Sequence, residues 1–246
     1  MTLTVGSLFS GIGGMDLGLE RAGHTVIWQS EIDPYACKVL KKHWPDVQNL
    51  GDITTIDWGK VERPDIICGG YPCQPFSHAG KRNGKNDPRH LWPAMHNAIC
   101  QLRPGYALME NVRGHLSLGF GDVLADLAKI GYDAEWQCIP AAAIGALHKR
   151  DRLYIVAYPK GSRLQGNGQP FRQKPPLAVF TSSSSHCKWH NSEAIWQTEP
   201  NVGRVANGVP NRVDRLKGLG NAVVPQVAEL VGRLIGEHAK QLKIAS

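Results

Sequence analysis

Apolar residues recur along the first two thirds of the chain in two alternating patterns. Six short apolar runs have the length of strands, and four stretches between them carry apolar residues at the spacing of an amphipathic helix. The runs predict strands at residues 3–9, 25–30, 65–68, 106–109, 132–140 and 152–158, and the stretches predict helices at residues 15–22, 34–43, 91–102 and 123–130. This alternation predicts an α/β fold with a doubly wound, mostly parallel sheet between two layers of helices.

Local signals mark several of these boundaries. Asp33 and Pro34 stand at the start of the second helix, where an acidic cap and a first-turn proline are favoured. Gly131 follows the fourth helix as a stop signal. In sheets of this type ligands bind beyond the carboxyl ends of the strands, so we expect the chemistry in the loops that follow strands.

The pattern changes after residue 158. Residues 160–207 are rich in Gly, Pro, Ser, Gln and Asn, and no periodicity persists there. Order returns near Val209, and residues 223–242 predict a final helix. We therefore expect a main domain at residues 1–158, a small irregular region or insertion at 159–207, and a C-terminal segment at 208–246 that returns to the main domain.

Charge and cysteine usage narrow the class of protein. The 246-residue chain has 28 Lys and Arg against 21 Asp and Glu, a formal net charge of +7, which fits a polyanionic partner and equally a solubilising basic surface. Its six cysteines include no Cys-x-x-Cys pair and are typical of reduced thiols. The chain shows neither a signal-peptide pattern nor an apolar run near the ~20 residues that span a bilayer. We expect a cytoplasmic monomer without a membrane partner.

A glycine-rich turn joins the first predicted strand to the first helix. The run 11–14, Gly-Ile-Gly-Gly, lets the backbone approach a ligand closely, and the helix start offers free N–H groups. Phe9 could face a purine, Glu31 ends the second strand where an acid can accept ribose hydroxyls, and Asp52 could accept from an adenine amino group. Together they favour an adenosine-containing cofactor over a plain fold with surface acids. The dinucleotide fingerprint and the Gly-Lys-Ser/Thr phosphate loop are both missing from the sequence, which disfavours nicotinamide and ATP sites.

A stiff loop at residues 69–77, Gly-Gly-Tyr-Pro-Cys-Gln-Pro-Phe-Ser, contains the candidate nucleophile Cys73. Most cysteines in such loops are inert, so the residues at the neighbouring strand ends decide whether Cys73 can be a nucleophile. Glu110 ends the next strand, and an extended stretch would place Arg150 and Arg152 on the same side. We expect thiol, carboxyl and guanidinium groups to converge on one pocket. The alternatives are that Glu110 is a structural partner of an arginine and that the arginines are surface charge.

Seven sequence motifs occur in the order found in one enzyme family. They are Phe9-Ser-Gly-Ile-Gly-Gly, Glu31-Ile-Asp-Pro, Gly51-Asp-Ile-Thr, Gly70-Tyr-Pro-Cys-Gln-Pro-Phe-Ser, Glu110-Asn-Val, Arg150-x-Arg152 and Gly220-Asn-Ala-Val-Val-Pro. The chain therefore resembles the cytosine-5 DNA methyltransferases over residues 5–157 and about 203–235. The Pro-Cys-Gln and Glu-Asn-Val pair, in order with the glycine loop, is the most specific part of this resemblance.

The resemblance implies a Rossmann-like methyltransferase that uses S-adenosyl-L-methionine on duplex DNA. It makes residues 1–158 the catalytic and cofactor-binding domain and 159–207 the target-recognition region, and it implies that the C-terminal helix packs beside the first helix. Family-matched cofactor contacts are Phe9, Ser10, Gly11, Gly13 and Gly14 in the loop, Glu31 at the ribose, Asp52 and Ile53 at the adenine, Pro72 near the methionine end, and Asn221 and Val223 closing the pocket.

The implied chemistry assigns a role to each catalytic residue. Cytosine carbon 5 becomes nucleophilic when the Cys73 thiolate adds to carbon 6. Glu110 must carry or share a proton to assist at ring nitrogen 3, so a raised pKa is predicted. Arg152 would hold ring oxygen 2, and Arg150 would support the loop or the flipped nucleotide. The base that removes the carbon 5 proton is not identified by the sequence.

The target cytosine must leave the duplex before it can react, and the basic stretch after the nucleophile resembles the family's closing loop. Ser77, Lys81, Arg82 and Lys85 are expected on the DNA backbone, with an ordinary charged loop as the alternative. A cognate restriction endonuclease is a candidate partner encoded elsewhere.

Some features depart from the family pattern. His148 stands where the family usually has Gln, and residues 160–202 are short for a target-recognition region. His186, Cys187 and His190 lack a fourth ligand at zinc spacing, so we expect no metal. The alternative functions are a tRNA cytosine-5 methyltransferase, a catalytically idle DNA-binding relative, and a nucleotide-binding oxidoreductase, which would leave the thiol loop unexplained.

Overall fold

Strands and helices alternate along the chain as the apolar pattern predicts. The computed structural model describes residues 1–72, 91–146, 148–162 and 212–245. Its strands are β1 (Thr4–Leu8), β2 (Thr25–Ser30), β3 (Gln48–Asn49), β4 (Ile66–Gly69), β5 (Tyr106–Val112), β6 (Tyr132–Ile139) and β7 (Arg152–Pro159). Its α-helices are α1 (Gly14–Arg21), α2 (Pro34–His43), α3 (Trp92–Leu102), α4 (Phe120–Lys129), α5 (Arg212–Asn221) and α6 (Pro225–Ala245), with short 3-10 helices at Trp58–Lys60, Arg113–Ser117 and Ala141–Ile144.

The seven strands form one sheet in the order β3-β2-β1-β4-β5-β7-β6. Neighbouring pairs from β3 to β5 are parallel, whereas β7 pairs antiparallel with both β5 and β6. Parallel neighbours need a crossover, usually a helix, but the described part of the β6–β7 connection holds only the Ala141–Ile144 turn. The prediction of a mostly parallel sheet is confirmed, and the reversed β7 places its first residue at the edge where the other strands end.

Each face of the sheet is covered by its own pair of helices. Apolar residues of α3 and α4 pack on one face, and those of α1 and α6 pack on the other. The strands serve both cores because successive side chains point to opposite faces. In β4, for example, Ile67 belongs to the first core, while Ile66 and Cys68 belong to the second. Two buried cores hold the central strands firmly, and their carboxyl ends form the site.

The C-terminal helix packs closely against the first helix. A Cβ atom placed on Gly18 would lie 2.4 Å from the Pro225 carbonyl oxygen and 2.5 Å from the Ala228 Cβ. A Cβ on Gly14 would lie 2.4 Å from the Val223 carbonyl oxygen. Only glycine permits this approach, so the packing of α6 beside α1 that the resemblance implies is confirmed. The three-segment division of the chain stays a prediction.

Local sequence signals located some elements better than others. Asp33 caps α2 as predicted, since its carboxylate accepts from the N–H groups of Tyr35 (3.0 Å) and Ala36 (3.1 Å). Helix α5 was not predicted, because its ten residues, RVDRLKGLGN, include two glycines and show no strong apolar face. The predicted start of the last helix at residue 223 was two residues early, since α6 begins at Pro225.

Candidate active site

A cavity of about 490 Å³ opens at the edge where the central strands end and β7 begins. This volume is in the range of small-molecule sites, and the position is the one expected for ligands of doubly wound sheets. Its lining includes Phe9, Gly11 and Ile12 after β1, Glu31 and Asp33 after β2, Gly70, Tyr71 and Pro72 after β4, Glu110, Asn111 and Val112 of β5, Arg152 of β7, and Asp214, Lys217, Gly218, Gly220, Asn221 and Ala222 of α5 and the turn that follows.

The glycine loop between β1 and α1 is fixed by its backbone. Phe9, Gly11 and Gly13 all have positive φ angles, of 51°, 55° and 81°. A Cβ on Gly13 would lie 2.4 Å from the Trp44 ring, so this position needs glycine for space as well as for conformation. The Gly11 N–H donates to Glu31 Oε2 at 2.7 Å, which joins the loop to the end of β2.

Glu31 lines the cavity, and most acceptor positions of its carboxylate are already occupied by backbone N–H groups. Its Oε1 accepts from the N–H groups of Ile32 (2.8 Å) and Asp33 (2.7 Å), in addition to the bond from Gly11 to Oε2. A carboxylate offers about four acceptor positions, so these three bonds leave about one for a ligand hydroxyl.

Asp52 and Ile53 lie apart from the described lining of this cavity. Asp52 is exposed, and its Oδ1 accepts from the N–H (2.9 Å) and hydroxyl (2.8 Å) of Thr54. Ile53 is buried in the α3–α4 core. The structure thus brings Glu31 to the cavity but not these two residues, and their role at an adenine stays a prediction.

A buried polar network lies beneath the glycine loop. Asp16 is completely buried, with Oδ1 accepting from Gln29 Nε2 at 2.8 Å and Oδ2 accepting from Ser7 Oγ at 3.0 Å. Ser10 Oγ lies 2.9 Å from Ser7 Oγ. Burial raises the pKa of Asp16 to about 6, against the opposing effect of the Gln29 and Ser7 hydrogen bonds. Sequence reasoning missed this network, although an acid next to Met15 on the apolar face of α1 was a readable signal.

The loop after β4 is tightly anchored up to Pro72. A Cβ on Gly70 would lie 2.7 Å from Glu110 Oε2, so glycine lets this loop pass beside the carboxylate. The Tyr71 hydroxyl bonds to His115 Nε2 at 2.8 Å, and the Tyr71 carbonyl accepts from Asn111 Nδ2 at 3.3 Å. Tyr71, Asn111 and His115 were missed by sequence reasoning, which took from the Glu110-Asn-Val motif only its acid.

Glu110 and Arg152 form a largely buried ion pair at the other end of the cavity. Arg152 Nε lies 3.0 Å from Glu110 Oε1, and the two side chains are only 24% and 13% exposed. Burial raises the pKa of Glu110 to about 7, while the charges of Arg152 and Arg150 act to lower it. The predicted raised pKa is confirmed, and the carboxyl is therefore partly protonated near neutral pH. Glu110 is both a partner of an arginine and a titrating group, which the sequence had left as alternatives.

Arg150 does not share the orientation of Arg152, and the prediction that both lie on one side of an extended stretch was wrong. The strand begins only at Arg152, and Arg150 has a φ of 32°, outside extended backbone. Its Nη2 donates to the carbonyl oxygens of Gly220 (2.8 Å) and Ala222 (2.5 Å). Arg150 thus fastens the end of α5 on both sides of the cavity residue Asn221, and its charge also acts to lower the pKa of Glu110.

A small hollow of about 40 Å³ lies between the glycine loop and the α5–α6 turn. Ser10, Gly14, Gly70, Glu110, Asn221 and Val223 are among its lining residues. The predicted cofactor residues of the glycine loop and of the C-terminal segment are therefore brought to one place beside the catalytic candidate Glu110, whereas Pro72 lines the larger cavity.

The model of the C-5 cytosine-specific DNA methylase family matches residues 3–204, most of the chain. The chain belongs to this family. The methylase-family assignment agrees with the resemblance carried by the sequence motifs.

Curated methylase relatives are longer than this chain. Type II methyltransferase M.NgoMIV of Neisseria gonorrhoeae is 36% identical over 162 residues, 64% of this chain and 52% of that protein. Type II methyltransferase M1.ScrFI of Lactococcus lactis subsp. cremoris is 30% identical over 243 residues, 95% of this chain and 61% of that protein. The chain thus spans about half the length of these curated relatives.

Solved structures share the methylase fold. A mutant form of DNMT2 from Spodoptera frugiperda matches with a TM-score of 0.56 at 25% identity, over 69% of this chain and 52% of that one. The Dnmt2 methyltransferase of S. pombe matches in fold with a TM-score of 0.57 at 23% identity, over 76% of this chain and 57% of that one.

Several predicted residues of this methylase-family chain lie outside the described residues. They are the nucleophile Cys73, the DNA contacts Ser77, Lys81, Arg82 and Lys85, and the group His186, Cys187 and His190. Within the described residues, no group of three or more His, Cys, Asp and Glu side chains is arranged to hold a metal ion. No helix in those same ranges combines the length and apolarity needed to cross a membrane.

Proposed function

We propose that this chain is a DNA (cytosine-5-)-methyltransferase that uses S-adenosyl-L-methionine. One observation carries the proposal: in a chain of the C-5 cytosine-specific DNA methylase family, the buried Glu110 pairs with Arg152 beside the loop that leads into Cys73. A carboxyl with a pKa of about 7 next to a guanidinium can donate to a ring nitrogen while the guanidinium holds the neighbouring carbonyl.

The chain's own residues activate the base. The Cys73 thiolate forms a bond to cytosine carbon 6, and Glu110 gives its proton to nitrogen 3, so that the displaced electron pair makes carbon 5 nucleophilic. When bound, S-adenosylmethionine would supply the methyl group on a positively charged sulfur, with S-adenosylhomocysteine as the leaving group. The carbon 5 proton then leaves to a base, the sulfur–carbon 6 bond breaks, nitrogen 3 returns its proton, and the thiolate is restored.

The cavity fits the cofactor in size and chemistry. Its volume is about 490 Å³, and it extends from Glu31 to Glu110. The Glu31 carboxylate has about one acceptor position open for a ligand hydroxyl. We assign Phe9, Ser10, Gly11, Gly13, Gly14 and Glu31, with Pro72, Asn221 and Val223, to cofactor binding, and Asp52 and Ile53 to the adenine. The crowded Glu31 carboxylate favours one ribose hydroxyl as its partner over two.

The polymer substrate is assigned as duplex DNA, from which the cytosine is flipped. Ser77, Lys81, Arg82 and Lys85 would contact the backbone, and Arg150 would support the site through the α5–α6 turn. The family description and relatives named as Type II methyltransferases support DNA over tRNA and make a cognate restriction endonuclease a reasonable partner. We expect a soluble, monomeric enzyme.

Methyl transfer from tritiated S-adenosylmethionine tests the proposal. Wild type, Cys73→Ser and Cys100→Ser are incubated with pooled duplex genomic DNAs or with tRNA, and the labelled nucleoside is identified by mass spectrometry. Cys100 is the matched control because its thiol is exposed on α3. The proposal expects label in DNA as 5-methylcytosine, lost by at least ~10³-fold in Cys73→Ser and kept in Cys100→Ser. Label in tRNA alone, at another atom, or equally in Cys73→Ser would contradict it.

A further inference from the structure

The buried network under the glycine loop contains a carboxylate that the proposed chemistry does not use. Asp16 has no exposed surface, yet it is tied to the loop through two serines: Asp16 to Ser7 at 3.0 Å and Ser7 to Ser10 at 2.9 Å. Ser10 is 8% exposed and borders the 40 Å³ hollow that also contacts Glu110 and Asn221. A chain of hydrogen bonds thus runs from a buried acid to a loop residue at the site.

The hydrogens in this chain can be assigned from donor and acceptor counts. Gln29 donates its amide hydrogen to Asp16 Oδ1, and an ionised Asp16 can only accept, so Ser7 gives its one hydroxyl hydrogen to Oδ2. Ser7 then has none left for Ser10. The Ser10 hydroxyl must donate back toward Ser7, to its Oγ at 2.9 Å or its carbonyl oxygen at 3.2 Å. Both Ser10 lone pairs then stay unused within the network, so Ser10 can accept from a donor in the hollow that it borders.

A neutral group at position 16 would reverse this order. It would donate to Ser7 Oγ, Ser7 would then donate to Ser10, and one of the two Ser10 lone pairs would be used within the network instead of being open to the hollow. The direction of the hydrogen bonds from Asp16 through Ser7 to Ser10 therefore depends on the charge of Asp16, which does not itself border the hollow.

We propose that Asp16 is a positioning residue that acts through Ser7 to keep the Ser10 hydroxyl an acceptor for the ammonium group of the cofactor. The inference rests on the proposed function, because the transferred methyl must meet the base beside Glu110, which places the amino-acid end of the cofactor at the hollow. A buried anion two hydrogen bonds away also favours a cationic ligand group there.

The closing experiment measures ligand binding by calorimetry and needs no turnover. The two ligands are S-adenosylhomocysteine and 5′-deoxy-5′-methylthioadenosine, which has no amino-acid end. The variants are Asp16→Asn, Ser7→Ala and the double variant. Asp65→Asn is the matched control, because that carboxylate bonds the N–H (2.8 Å) and hydroxyl (2.9 Å) of Thr4 at the opposite end of β1.

The expected result is selective. Asp16→Asn weakens S-adenosylhomocysteine binding about tenfold, the size of one hydrogen bond to a charged group, and leaves methylthioadenosine binding unchanged. Ser7→Ala stays within about twofold of wild type for both ligands, because the Ser10 hydroxyl can still donate to the carbonyl oxygen of residue 7. The double variant should bind more tightly than Asp16→Asn alone, because without the Ser7 hydroxyl the neutral group at position 16 can no longer direct a hydrogen to Ser10. Asp65→Asn alters neither affinity. If Asp16→Asn does not fold, the affinity for S-adenosylhomocysteine is compared between wild type and Ser7→Ala, and from pH 7 to pH 5 it should fall more in wild type.

A pH series adds a second readout. Between pH 7 and pH 5 the affinity of wild type for S-adenosylhomocysteine should fall more than that of Asp16→Asn. Glu110 borders the hollow in both proteins and cancels in the difference. The titratable groups that interact with Asp16 are Glu20 on α1, which raises its pKa, and the Cys68 thiol on β4.

Two failures are distinguishable. Wild type that binds neither ligand would overturn the proposed function. Wild type that binds S-adenosylhomocysteine, with Asp16→Asn within twofold of it, would overturn the role of Asp16 alone. Equal weakening of both ligands would also overturn it, because that result indicates general damage to the loop.

Discussion

Two carboxyl groups near the cavity, one beneath the glycine loop and one on β5, differ in their hydrogen-bond partners. At the glycine-loop end, Asp16 is completely buried and is bonded by the neutral donors Gln29 and Ser7. At the β5–β7 end, Glu110 is 13% exposed and paired with the charged Arg152. Burial raises both pKa values, to about 6 and about 7.

This difference in partners suggests different roles: Asp16 holds the conformation of the glycine loop, whereas Glu110 can give and take a proton. Neutral donors arranged around Asp16 hold the loop in one hydrogen-bond pattern, and no described contact gives that carboxyl access to the main cavity. Glu110 lines the cavity, and its proton is balanced near neutral pH between burial and two arginines. The loop end is thus suited to binding, and the β5–β7 end to chemistry.

Glu110→Gln should have the largest effect, because it removes the titrating group at the β5–β7 end. We expect kcat to fall by about 10²–10⁴-fold, the range for removing a general acid, with S-adenosylhomocysteine affinity within twofold of wild type. Glu229→Gln on α6 is the control, since its partner is the surface residue Arg233. Steady-state kinetics and calorimetry check both numbers, and equal losses in kcat and affinity would argue against separate roles for the two ends.

Gly18→Ala should affect the loop end through its scaffold. The added methyl would lie 2.4 Å from the Pro225 carbonyl and force α6 away from α1, which should lower the free energy of unfolding by about 1–3 kcal/mol. Gly121→Ala is the matched control on α4, where nothing lies within 4 Å and helix propensity should make the change neutral or stabilising. Urea unfolding measures both. A neutral Gly18→Ala would show that the α1–α6 contact is looser than described.

Features set by local sequence could be predicted, whereas features that depend on contacts distant in sequence could not. Local signals are strong at α2, where Asp33 and Pro34 define the start, and at β2, whose predicted and observed bounds agree. The direction of Arg150 was not readable, because it depends on carbonyl groups 70 and 72 residues away in sequence. Helix α5 was missed because its two glycines and weak apolar face give little local signal, and its contact with α2 joins Lys217 to Asp33, 184 residues away in sequence. The network around Asp16 required knowing that β1, β2 and α1 meet.

The pH dependence of stability should distinguish the two carboxyls. Each has a folded pKa above its unfolded value, so each stabilises the fold fully at low pH and loses that contribution as pH rises through the folded pKa. Between pH 6 and 8 the loss belongs mainly to Glu110, whose pKa is about 7, and amounts to about 1 kcal/mol. Urea unfolding at both pH values should show a flatter dependence for Glu110→Gln and an almost unchanged one for Asp16→Asn. The opposite assignment would reverse the roles of the two ends.

Lys217→Met should produce the smallest change. Lys217 Nζ lies 2.6 Å from Asp33 Oδ2 across the mouth of the cavity, but its side chain is 63% exposed. An exposed pair contributes little, so we expect S-adenosylhomocysteine affinity to fall by less than about fivefold at low salt and not at all at high salt. Lys129→Met, which removes an exposed pair with Asp126 on α4, is the control. A large loss that persists at high salt would mean that Lys217 contacts the ligand itself.

The central claim is that Cys73 forms a covalent bond to cytosine while Glu110 and Arg152 activate the ring. DNA that contains 5-fluorocytosine tests it directly, because carbon 5 then carries no proton to lose and the adduct cannot break down. Incubation with S-adenosylmethionine followed by peptide mass spectrometry should find the nucleotide on Cys73, greatly reduced in Glu110→Gln and absent in Cys73→Ser. An adduct on another cysteine, or none in wild type that methylates ordinary DNA, would contradict the account.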